Sequence, residues 1–335
     1  MSVRVTLQPS GHQFNVEFGE TLLEAALRSG ITLEYNCSNG QCGKCQASLL
    51  EGEIAERLHS DYVFKNNGRG HEQILLCCCK PASDLLLEAY EPGSAHDIAE
   101  QQIQSSVYRI ENAGDDIRLL QLRTPRSHSL QFLAGQYVRL EIEGLPPHEI
   151  SIASCPCNGM YLQFHFRHNP GDAFSDYIFN RIKLKDKLTV IGPYGNFHLD
   201  EDSPRNLIFI AYETGFAPIK SLIEHALARE TKQAIHLYWL VNSDTPHYLE
   251  NYCRAWNDAE DHFVYSAETL PARSPADIAE QLQNWGDKLL QDHPDLSACD
   301  IYMNGPEERF KLLSRKLTEH GLPKSQLHID GMPRY

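Results

Sequence analysis

Residues 36–45 read NCSNGQCGKC. Cys37, Cys42 and Cys45 stand there in the spacing C-x4-C-x2-C, among Gly40, Gly43 and small polar residues. Three neighbouring thiols can hold a metal, close a disulfide or pack as small apolar groups, so a further partner has to decide between these. The chain has 10 cysteines, of which Cys77, Cys78 and Cys79 form a second cluster, while Cys155, Cys157, Cys253 and Cys299 are scattered. A long chain with no apolar leader in MSVRVTLQPSGHQFNVEF does not read as a secreted disulfide framework. Clustered thiols in a reducing compartment point to metal, and the expected location is the cytoplasm.

The ligand question narrows by elimination. Zinc calls for a second paired C-x-x-C or histidines at ligand spacing, whereas residues 77–79 are consecutive. A thioredoxin-like pair opens a helix after a strand, and no such unit follows CGKC. Haem attachment needs histidine after the second cysteine, and Gln46 stands there. C-x4-C-x2-C with a distant fourth cysteine is the ligand spacing of a plant-type [2Fe–2S] cluster. Cys77 follows Cys45 after 31 residues, at the end of an apolar run. Cys78 and Cys79 remain alternatives on spacing alone. Gly40 and Gly43 would let backbone N–H groups turn toward the sulfurs.

Working outward, VRVTL (3–7) and QFNVEF (13–18) alternate about a Ser10-Gly11 turn, a hairpin signature. TLLEAALRSG (21–30) reads as a helix with a Thr21/Glu24 capping box and Gly30 after its end. Strands are expected near 46–54, 73–77 and 84–90, and EPGSAHD (91–97) reads as a linker. From about 98 to 202 short alternating runs (DIRLLQLRT, QYVRLEIEG, HEISIAS, YLQFHFRH, KLTVIG) suggest a small antiparallel barrel. From 203 to 335 strand and helix patterns alternate, which predicts an open parallel sheet. The chain of 335 residues accommodates these units, at 41% hydrophobic and 22% charged residues. A net charge of −15 argues against non-specific binding to nucleic acid or an anionic membrane surface. LIFIA (207–211) and LYWLV (237–241), the longest apolar runs, are too short to span a bilayer.

On these motifs residues 1–91 resemble a plant-type ferredoxin domain. In that family the last ligand stands four residues before a proline, and counting back from Pro81 gives Cys77. The rest resembles the ferredoxin–NAD(P) reductase superfamily: AGQYVRLEIEG (134–144), GPYGNF (192–197), ETGFAPIKSLIEHAL (213–227) and DIYMNGP (300–306) match its motifs. The arrangement resembles oxygenase reductase components and CDP-6-deoxy-glucoseen reductases. The resemblance implies a multidomain α+β and α/β chain: a β-grasp ferredoxin domain (1–93), an antiparallel β-barrel flavin domain (98–202) and a Rossmann-like parallel-sheet nucleotide domain (203–335). It implies metal ligands Cys37, Cys42, Cys45 and Cys77. It places Ser151 and Thr214 at the reacting centre, and His148, Ser151, Arg167, Gly171, Ser175, Thr214, Gly215 and Tyr335 around FAD and NADH. Thr214 and Gly215 join a strand to a helix N-terminus, which favours a dinucleotide phosphate.

Several positions depart from the family pattern. Arg-x-Tyr-Ser is His148-Glu149-Ile150-Ser151, and Gly-Gly-x-x-Ser is Gly171 to Ser175 with Asp172 inside. Gly-Gly-Thr-Gly is Tyr212-Glu213-Thr214-Gly215, with Glu213 expected to face solvent, and Cys-Gly-Pro is Asn304-Gly305-Pro306. Arg167 is expected to replace the missing phosphate arginine, and the terminal Tyr335 to cover a flavin face. VNSDTPHY (241–248) lacks arginine, and Asp244 suits a ribose hydroxyl, so NADH is expected. Cys155 and Cys157 read as packed thiols, HFRH (165–168) as a barrel strand and 224–232 as a solvated helix face. Two functions follow. The first is a reductase passing electrons from NADH through FAD and the cluster to an acceptor protein, such as an oxygenase or dehydratase component. The second is a cluster-bearing carrier or assembly subunit with degenerate flavin and nicotinamide sites. Seven Lys/Arg against twelve Asp/Glu in 1–91 suit a basic acceptor.

Overall fold

The structure, a computed structural model, describes residues 2–64, 70–125, 128–243, 245–271 and 275–330. Tyr335 and Asp244 lie outside the described residues. The first hairpin forms as its alternation predicts, with Val3–Gln8 antiparallel to Gln13–Val16. The helix Leu22–Arg28 carries both arms of the Thr21/Glu24 capping box, and Gly30 takes φ +68° just after its end. The helix buries Leu22, Leu23, Ala25 and Ala26 against a five-stranded sheet. That sheet runs Gln13–Val16, Val3–Gln8, Leu85–Ala89, Gln46–Glu51 and Glu72–Leu75. The last strand stops at Leu75, and Leu76–Cys78 form one 3-10 turn. Cys77 therefore sits on a turn, tied back by the Leu76 N–H to the Cys45 carbonyl at 2.9 Å.

Six antiparallel strands make the nearly closed barrel, in the order His148–Ser151, Tyr137–Glu141, Lys187–Tyr194, Gln101–Asn112, Ile117–Arg123 and Tyr161–Arg167. Gln101–Asn112 has no counterpart among the expected runs. Its buried alternate positions are Ile103, Ser105 and Val107, and the serine breaks the apolar signal. The helix Ala173–Asn180 is also additional. Its N-cap is Asp172, whose carboxylate accepts from the Ser175 N–H at 2.7 Å.

The third unit is a parallel sheet in the order Phe263–Leu270, Ile235–Asn242, Asn206–Tyr212, Cys299–Asn304 and Leu327–Asp330. Its central strands are buried almost throughout, as a sheet covered on both faces requires. The chain starts in the middle, at Asn206–Tyr212, and the strand order reverses between that strand and Cys299–Asn304. The carboxyl ends of those two strands open the crevice where such sheets bind ligands.

The units are fastened to each other. Gln131 Nε2 donates to the Leu33 carbonyl at 2.9 Å, and the Ser129 N–H donates to the Asn36 carbonyl at 3.2 Å. Ser221 and Lys220, on the helix Phe216–Ala228, donate to the carbonyls of Ser154 and Ala153 at 2.7 and 3.1 Å. The segment 224–232 is not a plain solvated face. His225 is buried, Glu224 accepts from the Cys155 N–H, and Arg229 pairs with Glu201 and reaches the Gly30 carbonyl. The breaker-rich 91–97 stretch is ordered too. Glu91 holds Ser10 and His12, and Ser94 and Asp97 cap the turn Ala95–Asp97.

Candidate functional site

The thiol loop converges on itself. Cys45 Sγ lies 3.3 Å from Cys77 Sγ, and Cys37 Sγ accepts from the N–H groups of Gln41 and Cys42 at 3.4 and 3.3 Å. Burial works against a Cys37 thiolate, but the N–H groups of Asn39, Cys42 and Gln41 outweigh it and bring the thiol down to about 7. The hydrogen bond from its partner thiol lowers Cys45, and Cys77 rises correspondingly. Gly40 and Gly43 take φ +79° and +75°. A side chain at Gly43 would run into the Tyr62 ring, and one at Gly40 would meet Cys78 Sγ at 2.7 Å. Cys78 Sγ points toward the His59 carbonyl at 3.9 Å. Burial raises Cys78 to about 12 and Cys79 to about 11. The lowered thiols of Cys37 and Cys45, backbone donors aimed at sulfur and glycine-enforced turns fit a [2Fe–2S] cluster.

The second site is a cavity of about 510 Å³ between the barrel and the parallel sheet. His148, Ser151, Arg167 and Ser175 reach it from the barrel side, and Thr214 and Gly215 from the crevice. Gly171, at φ +91°, shapes the loop beside it without lining the wall. Buried atoms there without hydrogen-bond partners include Ser151 Oγ, His165 Nε2 and Arg167 Nη2. Unsatisfied buried polar groups of this kind mark a ligand site, and together they fit a flavin ring with a phosphate-bearing tail. Ser175 Oγ is already engaged, accepting from the Asn169 N–H at 2.8 Å. Gly215 is needed for packing, because a Cβ there would collide with the Asn304 carbonyl.

Two residues behave differently from expectation. Burial brings His148 down to about 4 against the pull of Asp172, so at neutral pH it is an uncharged ring, stacked 4.6 Å from Phe174. Glu213 does not face solvent. At φ +51° its side chain turns into the cleft, where it pairs with Arg167 Nη1 at 2.7 Å and accepts from Asn242 Nδ2 at 2.7 Å. Sequence reasoning also missed His165, held by the Tyr248 hydroxyl at 2.9 Å and pushed well below its usual range by burial. It missed Arg309 too, whose guanidinium lies 4.9 Å over the Tyr212 ring on the cavity wall. HFRH as a barrel strand and DIYMNGP before a helix were the available signals.

Residues 5–82 match the 2Fe-2S iron-sulfur cluster binding domain family, 104–199 the oxidoreductase FAD-binding domain family and 209–313 the oxidoreductase NAD-binding domain family. A CDP-6-deoxy-L-threo-D-glycero-4-hexulose-3-dehydrase reductase of Yersinia pseudotuberculosis is 32% identical over 99% of this chain and 98% of its own length. This chain belongs to the ferredoxin–NAD(P) reductase superfamily, in the branch with an N-terminal ferredoxin domain. Another member of the superfamily, reductase component 2 of terephthalate 1,2-dioxygenase from Comamonas sp., is 33% identical over 80% of this chain and 79% of its own length. The Amycolatopsis cytochrome P450 reductase GcoB shares the fold at TM-score 0.61 and 23% identity, covering 98% of both chains. No helix among the described residues is long and apolar enough to cross a membrane.

Proposed function

We propose that this chain is the reductase component of a multicomponent system, taking electrons from NADH through FAD and a [2Fe–2S] cluster to an acceptor protein. Flavin accepts a hydride and releases electrons singly, and the cluster carries them one at a time. The observation that carries this reading is the seam at Asn36. Its carbonyl, one residue before Cys37, is hydrogen-bonded to Ser129 of the barrel, so the thiol loop sits directly on the flavin unit.

In this reading the units span 1–93, 98–202 and 203–335. Cys37, Cys42, Cys45 and Cys77 hold the irons. Ser151 Oγ hydrogen-bonds the flavin ring, and Arg167 takes the phosphate in place of the neutral His148. Thr214 and Gly215, ahead of the helix Phe216–Ala228, receive NADH. Ser38, Asn39, Gln41 and Lys44 form the exposed rim of the loop, where an acceptor docks. The relatives' names pair them with a dehydrase and a dioxygenase, and an acceptor of the oxygenase or dehydratase kind fits this chain. The cytoplasm, which keeps thiols reduced, is the compartment that suits the cluster.

One observation favours a second reading, a carrier without flavin turnover: Glu213 already occupies Arg167. The absorbance spectrum of the purified protein separates the two. Flavin bands with cluster bleaching by NADH support the reductase, and a cluster spectrum that does not respond to NADH supports the carrier.

A further inference from the structure

After the strand His148–Ser151 the chain runs Ile152-Ala153-Ser154-Cys155-Pro156-Cys157. The sequence reading took both cysteines as packed thiols, but their sulfurs lie in bonding contact with each other. Facing them from the helix Phe216–Ala228 is His225, which is 3% exposed. The two sulfurs and a ring nitrogen of His225 all lie within 4.8 Å of one another. Nε2 of that ring is engaged by Glu201 Oε1 at 2.8 Å. Nδ1 is buried and has no hydrogen-bond partner, so it is the nitrogen left for the sulfurs.

Glu201 is itself held by Arg229 at 3.1 Å. A carboxylate that fixes one imidazole nitrogen while the other faces sulfur donors is the orientation used at histidine–metal sites. The loop is also braced. The Cys155 N–H donates to Glu224 Oε2 at 3.1 Å, and the Cys157 N–H donates to Cys155 Sγ at 3.1 Å. Two sulfurs and one imidazole suit a borderline cation such as zinc, with one coordination position left open.

We propose that Cys155, Cys157 and His225 form, in the thiol state, a three-donor site for a borderline divalent cation. While joined, the sulfurs exclude an ion. A phosphine or dithiol reductant supplies two electrons, the S–S bond breaks and two protons are taken up. Coordination then releases both protons from the thiols. A bound ion would staple the barrel loop to the nucleotide unit. Cys157 also lines a small cavity with Tyr35, so the staple lies where all three units meet.

The test uses the full cluster-bearing chain, kept anaerobic and reduced with a phosphine, and titrated with Zn²⁺ against a chromophoric chelator. Iron and zinc are counted by mass spectrometry. The expected result is one zinc per chain in addition to the cluster iron. Cys155→Ser, Cys157→Ser and His225→Gln each abolish stoichiometric binding, and Glu201→Gln, which only orients the ring, weakens it about 10- to 100-fold. Iron and acid-labile sulfide and the far-ultraviolet circular dichroism stay at wild-type levels in these variants, which together report an intact fold and separate this proposal from the reductase reading. Absence of the extra zinc overturns the proposal, as does zinc retained in both Cys155→Ser and His225→Gln. A Cys155–Cys157 bond that persists under reductant, shown by differential alkylation, overturns it too.

Discussion

Glu213→Gln is expected to tighten flavin binding. Arg167 Nη1 and Glu213 Oε2 lie 2.7 Å apart, with side chains 27% and 12% exposed. A hydrogen bond between charged partners in such a setting contributes about 1.5–3 kcal/mol. On the proposal that Arg167 receives the flavin phosphate, the ligand has to take it away from that partner and then sits near a carboxylate. Glutamine keeps an acceptor for Asn242 Nδ2 but gives up the charge. If the whole of that interaction returns to the ligand, FAD binds roughly 10- to 150-fold more tightly. The assay is quenching of flavin fluorescence by protein stripped of flavin, run in parallel with FAD and riboflavin. Riboflavin has no phosphate and should gain nothing. An FAD affinity unchanged within about twofold would refute the reasoning, and so would an equal gain for riboflavin.

Serine at Cys37, Cys42, Cys45 or Cys77 should each abolish the cluster's visible absorption and iron content, whereas Cys78→Ser and Cys79→Ser should retain both. Gly43→Ala adds a Cβ against the Tyr62 ring at a positive φ, so its iron occupancy after anaerobic reconstitution should fall well below wild type while the barrel and nucleotide units stay folded by circular dichroism. His148 titrates near 4 in the folded protein against 6.5 when unfolded, so the folded state declines a proton that the unfolded chain takes. Its contribution is therefore complete above pH 6.5 and is lost as pH falls toward 4. Relative to His148→Asn, wild type should lose up to roughly 3 kcal/mol of unfolding free energy across that window, measured by urea denaturation at each pH; a pH-independent difference between the two proteins would contradict this.

What the sequence disclosed follows from which signals are periodic. The hairpin, the capped helix Leu22–Arg28 and the parallel strands all carry apolar periods or short-range partners, and all form. The thiol set was legible because ligand spacing is local except at Cys77, and there a turn rather than a strand presents the sulfur. The strand Gln101–Asn112 and the side-chain pairings inside the flavin cleft were not legible for a common reason, although most of the residues expected at the cleft do line it: both depend on polar residues whose direction the local pattern does not fix. Ser105 goes inward and hides a strand. Asp172 caps its own helix at the wall of the cleft. Cys155 and Cys157 face a histidine about seventy residues away in the chain. Glu213 is the sharpest case. It keeps the positive φ for which glycine is the usual residue, so the backbone turn of the crevice survives the substitution. What changes is the charge opposite Arg167. The departures in these motifs thus act on the electrostatics of the cleft while leaving its backbone course intact, and that is why the chain keeps the superfamily fold while holding Arg167 in an internal ion pair.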